Sequence, residues 1–189
     1  MKETMIMHEN TEKVLLRDCE AIRIPSGEVI KLAKGVSVMI TQALGGSYTV
    51  ATSEGLARIT HENADALGVE APIATPEVAQ DAAGTPVNEA SVWEQLKTCY
   101  DPEIPVNIVD LGLVYDCAVE QQDGESAKVQ VKMTLTAPGC GMGPVIAREA
   151  EQKILSIPGV SDASVEVVWD PPWNQAMISE VGKMKLGLI

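Results

Sequence analysis

The stretch KVQVKMTLTAPGCGMGPVIAREAEQKILSI, Lys128 to Ile157, changes its hydrophobic period partway along, and that change decides the fold. Val129, Val131, Met133 and Leu135 alternate with Gln130, Lys132, Thr134 and Thr136, the period of a strand with one buried and one exposed face. From Gly143 onward Ile146, Ala150, Ile154 and Ile157 fall on one side of a helix, which Ile157-Pro158-Gly159 stops. Between the two lies TAPGCGMGP, Thr136 to Pro144. Pro144 suits the first helical position, where a missing N–H costs nothing. Gly139, Gly141 and Gly143 permit a tight path and leave backbone N–H groups uncovered. Cys140 therefore stands on a bare turn at a helix start. That end of a helix carries partial positive charge, so a thiol there should ionise more readily than a free one, which titrates near ~8.5. The thiolate form is both nucleophile and soft-metal ligand. The same residues also fit a core cysteine in a plain turn. A generic anion site is a third reading, though neither G-K-[ST] nor Rossmann spacing is present.

Around this unit the chain continues in the same alternation of elements. Asn88 or Ser91 can cap a helix through VWEQLKTCY, and DPEIPVNIVDLGL, with two prolines, reads as a loop. LVYDCAV (Leu113–Val119) alternates as a strand, with Cys117 sharing a face with Leu113, Tyr115 and Val119. Gln122-Asp123-Gly124 makes a turn, SVEVVW (Ser164–Trp169) a strand, and NQAMISEVGKMKLG a last helix. The order α-β-β-α-β-α predicts an α/β (α+β sandwich) domain over residues 89–189, helices packed on a short sheet.

Residues 1–70 punctuate differently. AIRI, EVIKL, VSVMITQ, YTVAT and LARI are short β-rich runs separated by Pro25-Ser26-Gly27, Lys34-Gly35, Gly45-Gly46 and Ser53-Glu54-Gly55. They predict a small all-β domain, barrel or sandwich. HENADALG (His61–Gly68) reads as one closing helical turn ended by Gly68. His61 fits a turn or cap better than a ligand. Residues 71–88, APIATPEVAQDAAGTPVN, hold three prolines and almost no bulky apolar side chain, and read as a linker.

Composition narrows the function. The net charge is −13, with 7 Lys+Arg against 10 Asp+Glu in residues 1–71 and 7 against 17 in the rest. An acidic surface repels phosphate backbones and anionic lipid, which argues against nucleic acid and membrane as partners. The start lacks the apolar core of a secretory signal, so a cytoplasmic, reducing setting is expected. The four cysteines, Cys19, Cys99, Cys117 and Cys140, show no C-x-x-C spacing. The histidines, His8 and His61, both lie outside the domain of Cys140, so a Cys–His catalytic pair would have to form across domains.

DPEIPVNIVDLGLVYD (Asp101–Asp116), TLTAPGCGMGP (Thr134–Pro144), IPGVSDASVEVVWDPPW (Ile157–Trp173) and the final NQAMISEVGKMKLGL together resemble the metal–sulfur cluster assembly domain family. The likeness covers residues 89–189. The β-rich unit ahead of it is similar to the SufT-like branch of that family. The resemblance implies an auxiliary, non-enzymatic role in iron–sulfur cluster maturation, with iron–sulfur apoproteins and the cluster-assembly machinery as partners. It places the family's reactive thiol on Cys140, a supporting acid on Asp110, and a hydrogen bond to the sulfur from Thr136. Asp101, Pro102 and Glu103 match the first motif as residues that shape its loop. Gly141-Met142 stands where relatives often carry Cys-Pro. Iron–sulfur clusters usually take four thiolates. One presented cysteine cannot supply them, so no tightly bound cofactor is expected. A transient iron or iron–sulfur cluster would need a client, a small thiol or a second copy in a homo-oligomer to complete its shell. An interaction adaptor, or a thiol redox protein, remains the alternative.

Overall fold

A computed structural model describes residues 11–69, 86–122 and 126–189. The chain separates into two compact units, Met1–Ala74 and Thr75–Ile189. The expected Gln122–Gly124 turn, His8 and most of the expected linker lie outside the described residues. The last linker residues belong to the second unit. Val87 is buried there and its carbonyl accepts from Gln121 Nε2 at 2.6 Å, while Asn88 caps a helix.

The first unit is one six-stranded antiparallel sheet of β1 (Thr11–Val14), β2 (Cys19–Arg23), β3 (Val29–Leu32), β4 (Ser37–Leu44), β5 (Ser47–Thr52) and β6 (Gly55–Ile59), in the order β1-β4-β5-β6-β2-β3. β1 escaped the sequence reading because TEKV has no aromatic or turn signal of its own. A 3-10 helix, His61–Leu67, follows and ends at Gly68 in the left-handed region. His61 is its exposed first residue. Leu15, Val38, Ile40, Val50, Ile59 and Leu67 fill the core. Arg17 ties the β1–β2 loop to the 3-10 helix through a two-pronged pair with Asp65, at 2.7 and 2.6 Å.

The second unit follows the expected order. Helix α1 (Glu89–Leu96) starts at Asn88, whose Oδ1 accepts from Ser91 N at 2.8 Å. Then come β7 (Val114–Gln121), β8 (Ala127–Met133), α2 (Gly143–Leu155) and β9 (Val160–Val167). The sheet order is β7-β8-β9, with β7 antiparallel and β9 parallel to β8. A parallel neighbour requires a crossover, and α2 is that crossover. Both α1 and α2 cover one sheet face, where Cys117, Val129, Val131 and Ala163 meet Val92, Leu96, Ile146, Ala150 and Ile154. The opposite face carries Lys128, Gln130 and Lys132 in the open.

Three local expectations are corrected. A bulge between Val114 and Asp116 takes Tyr115 out of the regular alternation, and its hydroxyl donates to the Pro171 carbonyl at 2.7 Å. Thr134, expected on the exposed face, is buried, because β8 has ended at Met133 and the alternation of its faces ends with it. The expected last helix is two pieces, a 3-10 turn at Gln175–Met177 and α3 (Glu180–Lys185) capped by Ser179. No helix among the described residues is long and apolar enough to cross a membrane.

Candidate functional site: the thiol turn

The register of the second sheet places the motifs. Met133 pairs with Val114 on one side and Val167 on the other. Thr134 N donates to the Leu113 carbonyl at 2.7 Å, and Val168 N to the Met133 carbonyl at 2.8 Å. The turn after β8, the loop before β7 and the segment after β9 thus leave the sheet at the same end. This is the end where the carboxyl termini of two parallel strands lie, the usual place for a site in such sheets.

Cys140 sits in the turn between β8 and α2, and it alone of the four cysteines is not buried. Its carbonyl accepts from Gly143 N at 3.2 Å, which closes the turn onto the helix. The helix starts without a side-chain cap, and Pro144 occupies its first turn. The three glycines differ in purpose. Gly139, at φ 82°, holds a left-handed conformation that side chains disfavour. Gly143 is buried, and a Cβ there would run into Leu135 Cδ1. Gly141 is absent from the positive-φ positions, so the tight path expected of all three rests on Gly139. Thr136 is half-buried at the start of the turn, and among the described residues no hydrogen bond joins it to the sulfur. The neighbouring Thr134 hydroxyl is buried without a hydrogen-bond partner.

Asp110 lies in the adjoining loop, and its carboxylate faces the C-terminal segment. It accepts from Asn107 Nδ2 at 2.8 Å, Ser179 Oγ at 3.0 Å and Lys185 Nζ at 3.4 Å. Burial by itself would raise this carboxyl. The hydrogen bonds from Ser179, Asn107 and Lys185, with the Lys185 charge, outweigh it and hold the group below the ordinary carboxylate value. The Asp110 carbonyl also accepts from Ser179 N at 2.9 Å. Gly112, at φ 72°, would drive a Cβ into the Met177 carbonyl, and Trp173 Nε1 donates to the Leu111 carbonyl at 2.8 Å. The geometry makes Asp110 the clasp of the C-terminal segment. None of its hydrogen bonds runs to the thiol turn. Ser179 and Lys185 were missed in the sequence. Ser179 directly before Glu180 was the available cap signal.

Asp101 shapes its loop, its Oδ1 accepting from Glu103 N at 2.8 Å and Ile104 N at 2.9 Å. Burial, with Glu89 and Asp116 adding, pushes the Cys117 thiol up to about 11, which keeps it protonated and inert. Among the described residues no group of three or more His, Cys, Asp or Glu is placed to hold a metal ion.

A strand–turn–helix that presents one thiol at the end of a three-stranded open sheet defines a small thiol-presenting α/β module. The chain belongs to the iron–sulfur cluster assembly protein family, whose model matches residues 89–167. It is 40% identical over 101 residues to the Fe-S protein maturation auxiliary factor of Porphyromonas gingivalis, covering 53% of this chain and 92% of that one. The Fe-S protein maturation auxiliary factor YitW of Bacillus subtilis is 39% identical, over 52% of this chain and 92% of its own. The Fe-S protein maturation auxiliary factor SufT of Staphylococcus aureus is 41% identical, over 47% and 96%. What those matches leave of each relative is too short for a six-stranded unit. The β-rich unit of this chain lies outside residues 89–167, which the family model matches.

Proposed function

We infer that this protein is an auxiliary factor of iron–sulfur protein maturation that carries iron or an iron–sulfur cluster transiently on Cys140. The observation that carries the reading is the placement of Cys140. It is the accessible thiol among four, on a glycine turn at a helix start, in a chain whose relatives are named for Fe-S protein maturation. A thiolate there acts as one ligand, and a client, a small thiol or a second copy completes the four-thiolate shell. Release follows by ligand exchange: client thiolates replace Cys140 on the iron, and the freed Cys140 thiolate takes up a proton. The step needs no turnover of a small substrate, so the protein acts as a carrier rather than an enzyme. Its partners are iron–sulfur apoproteins and the assembly machinery, met in the cytoplasm. Residues 89–189 form the carrier domain, and residues 1–70 form a separate β domain beyond a linker.

The test is anaerobic reconstitution with iron and sulfide, read by visible absorption and by iron and sulfide counts, on wild type and on Cys140→Ser. The wild type should take up a labile cluster, and the variant should not. If neither binds while the variant still supports maturation of a client, Cys140 is structural and the protein is an adaptor.

A further inference from the structure

β9 is an edge strand. It pairs with β8 on one side, and among the described residues no strand lies on its other side. It runs for eight residues, VSDASVEV, without proline or glycine. A free edge of that length presents a row of backbone donors and acceptors to any strand that can match it.

The side chains state what would match. On the open face the register aligns Asp116 with Lys132 and Glu166, Ala118 with Gln130 and Ser164, and Glu120 with Lys128 and Asp162. Both charged rows read acid, base, acid from β7 to β9. Lys128 Nζ lies 3.9 Å from Asp162 Oδ2. Unlike charges facing each other across a sheet stabilise the pairing, and like charges oppose it. Each row stops at β9 on an exposed carboxylate with lysine on one side and, among the described residues, no strand on the other. The alternation continues only if the next strand is basic at both rows. Asp162 and Glu166 are four positions apart, so the basic residues fall at i and i+4. On the helix-covered face β9 offers Ala163, Val165 and Val167, which call for apolar residues at the intervening positions.

A second copy fits badly. Antiparallel pairing of β9 with itself about Ser164 would set Asp162 of each copy against Glu166 of the other, two like-charge contacts. We propose that β9 is a docking edge for an extended segment of a partner protein, basic at i and i+4 and apolar at i+1 and i+3, which adds as a fourth strand beside β9. The net charge of −13 steers such a segment inward. The proposal does not depend on the carrier role of Cys140.

The experiment uses the full chain and two labelled peptides, TVKVSVKVT and its acidic counterpart TVEVSVEVT. Affinity is read by fluorescence anisotropy and location by amide hydrogen exchange. The basic peptide should bind and slow exchange within Val160–Val167, and the acidic peptide should not. Asp162→Lys with Glu166→Lys should weaken the basic peptide by about tenfold or more and admit the acidic one, since two cross-strand attractions become repulsions. Asp162→Asn with Glu166→Gln should give a smaller loss of the same sign, and it reads the edge if the lysine pair fails to fold. Equal binding of the two peptides, no binding of either, or protection outside β9 overturns the proposal. So does a chain that sediments as a dimer with β9 already protected.

Discussion

Cys140 differs from the other three thiols in access, and chemistry follows access. Cys19, Cys99 and Cys117 are 3%, 1% and 7% exposed, and burial raises the thiol of both Cys19 and Cys117. Native protein treated with iodoacetamide should therefore take up one label, at Cys140, with the other three reacting only after unfolding; peptide mass mapping gives the answer. A second label in native protein would mean the core opens. Asp110 makes a different forecast. Its carboxyl ionises at lower pH folded than unfolded, so its stabilisation is full above the unfolded value, near ~3.9, and disappears as pH falls through the folded one. Asp110→Ala should cost about 2–3 kcal/mol, the scale of hydrogen bonds to a charged group. Urea titrations of wild type and variant should keep their separation above about pH 4 and draw together as the pH falls further below it. Thr134 points the other way. Its hydroxyl is buried and unpaired, so Thr134→Val should be neutral or raise stability by about 1 kcal/mol. A marked loss would mean that the hydroxyl has found a partner such as bound water.

The β8–turn–α2 unit shows how a loop sequence is dictated by what lies beneath it. Leu135 is buried just past the end of β8, and α2 begins directly against it, so position 143 has no room for a methyl group. Gly143→Ala should destabilise by about 1–3 kcal/mol, the usual cost of overpacking, even though alanine is the better helix former. A gain of stability in a urea melt would show that Leu135 gives way. This unit was legible in the sequence because its signals are local: period two, then glycines and a proline, then period 3.6. α1 and its Asn88 cap were legible for the same reason. What failed was non-local. The bulge at Tyr115 exists because its hydroxyl reaches Pro171, 56 residues on. The break before α3 exists because Ser179 is held by Asp110, 69 residues back. Periodicity carries no trace of either partner. For the site, the turn and its thiol could be read from the motif, whereas the direction in which Asp110 faces required the packed chain.

Whether the two units, Met1–Ala74 and Thr75–Ile189, also divide the labour can be tested. The first unit has its own core, from Leu15 to Leu67, and its own ion pair between Arg17 and Asp65. The second contains the thiol turn, the clasp at Asp110 and the β9 edge, and relatives that match it account for 92–96% of their own length. A unit of about 100 residues is large enough to fold alone. Residues 86–189 expressed by themselves should therefore unfold in a single cooperative step. In anaerobic reconstitution they should take up the same iron and sulfide per Cys140 as the full chain. The basic strand peptide should bind them equally well, since both surfaces it needs are present. If the fragment folds yet loses cluster uptake, the β unit contributes a ligand or shelters the cluster, and carrier chemistry must be assigned to both units. If uptake is kept but delivery to a client falls, residues 1–70 serve in choosing the client, the role their lack of any chemical motif leaves open to them.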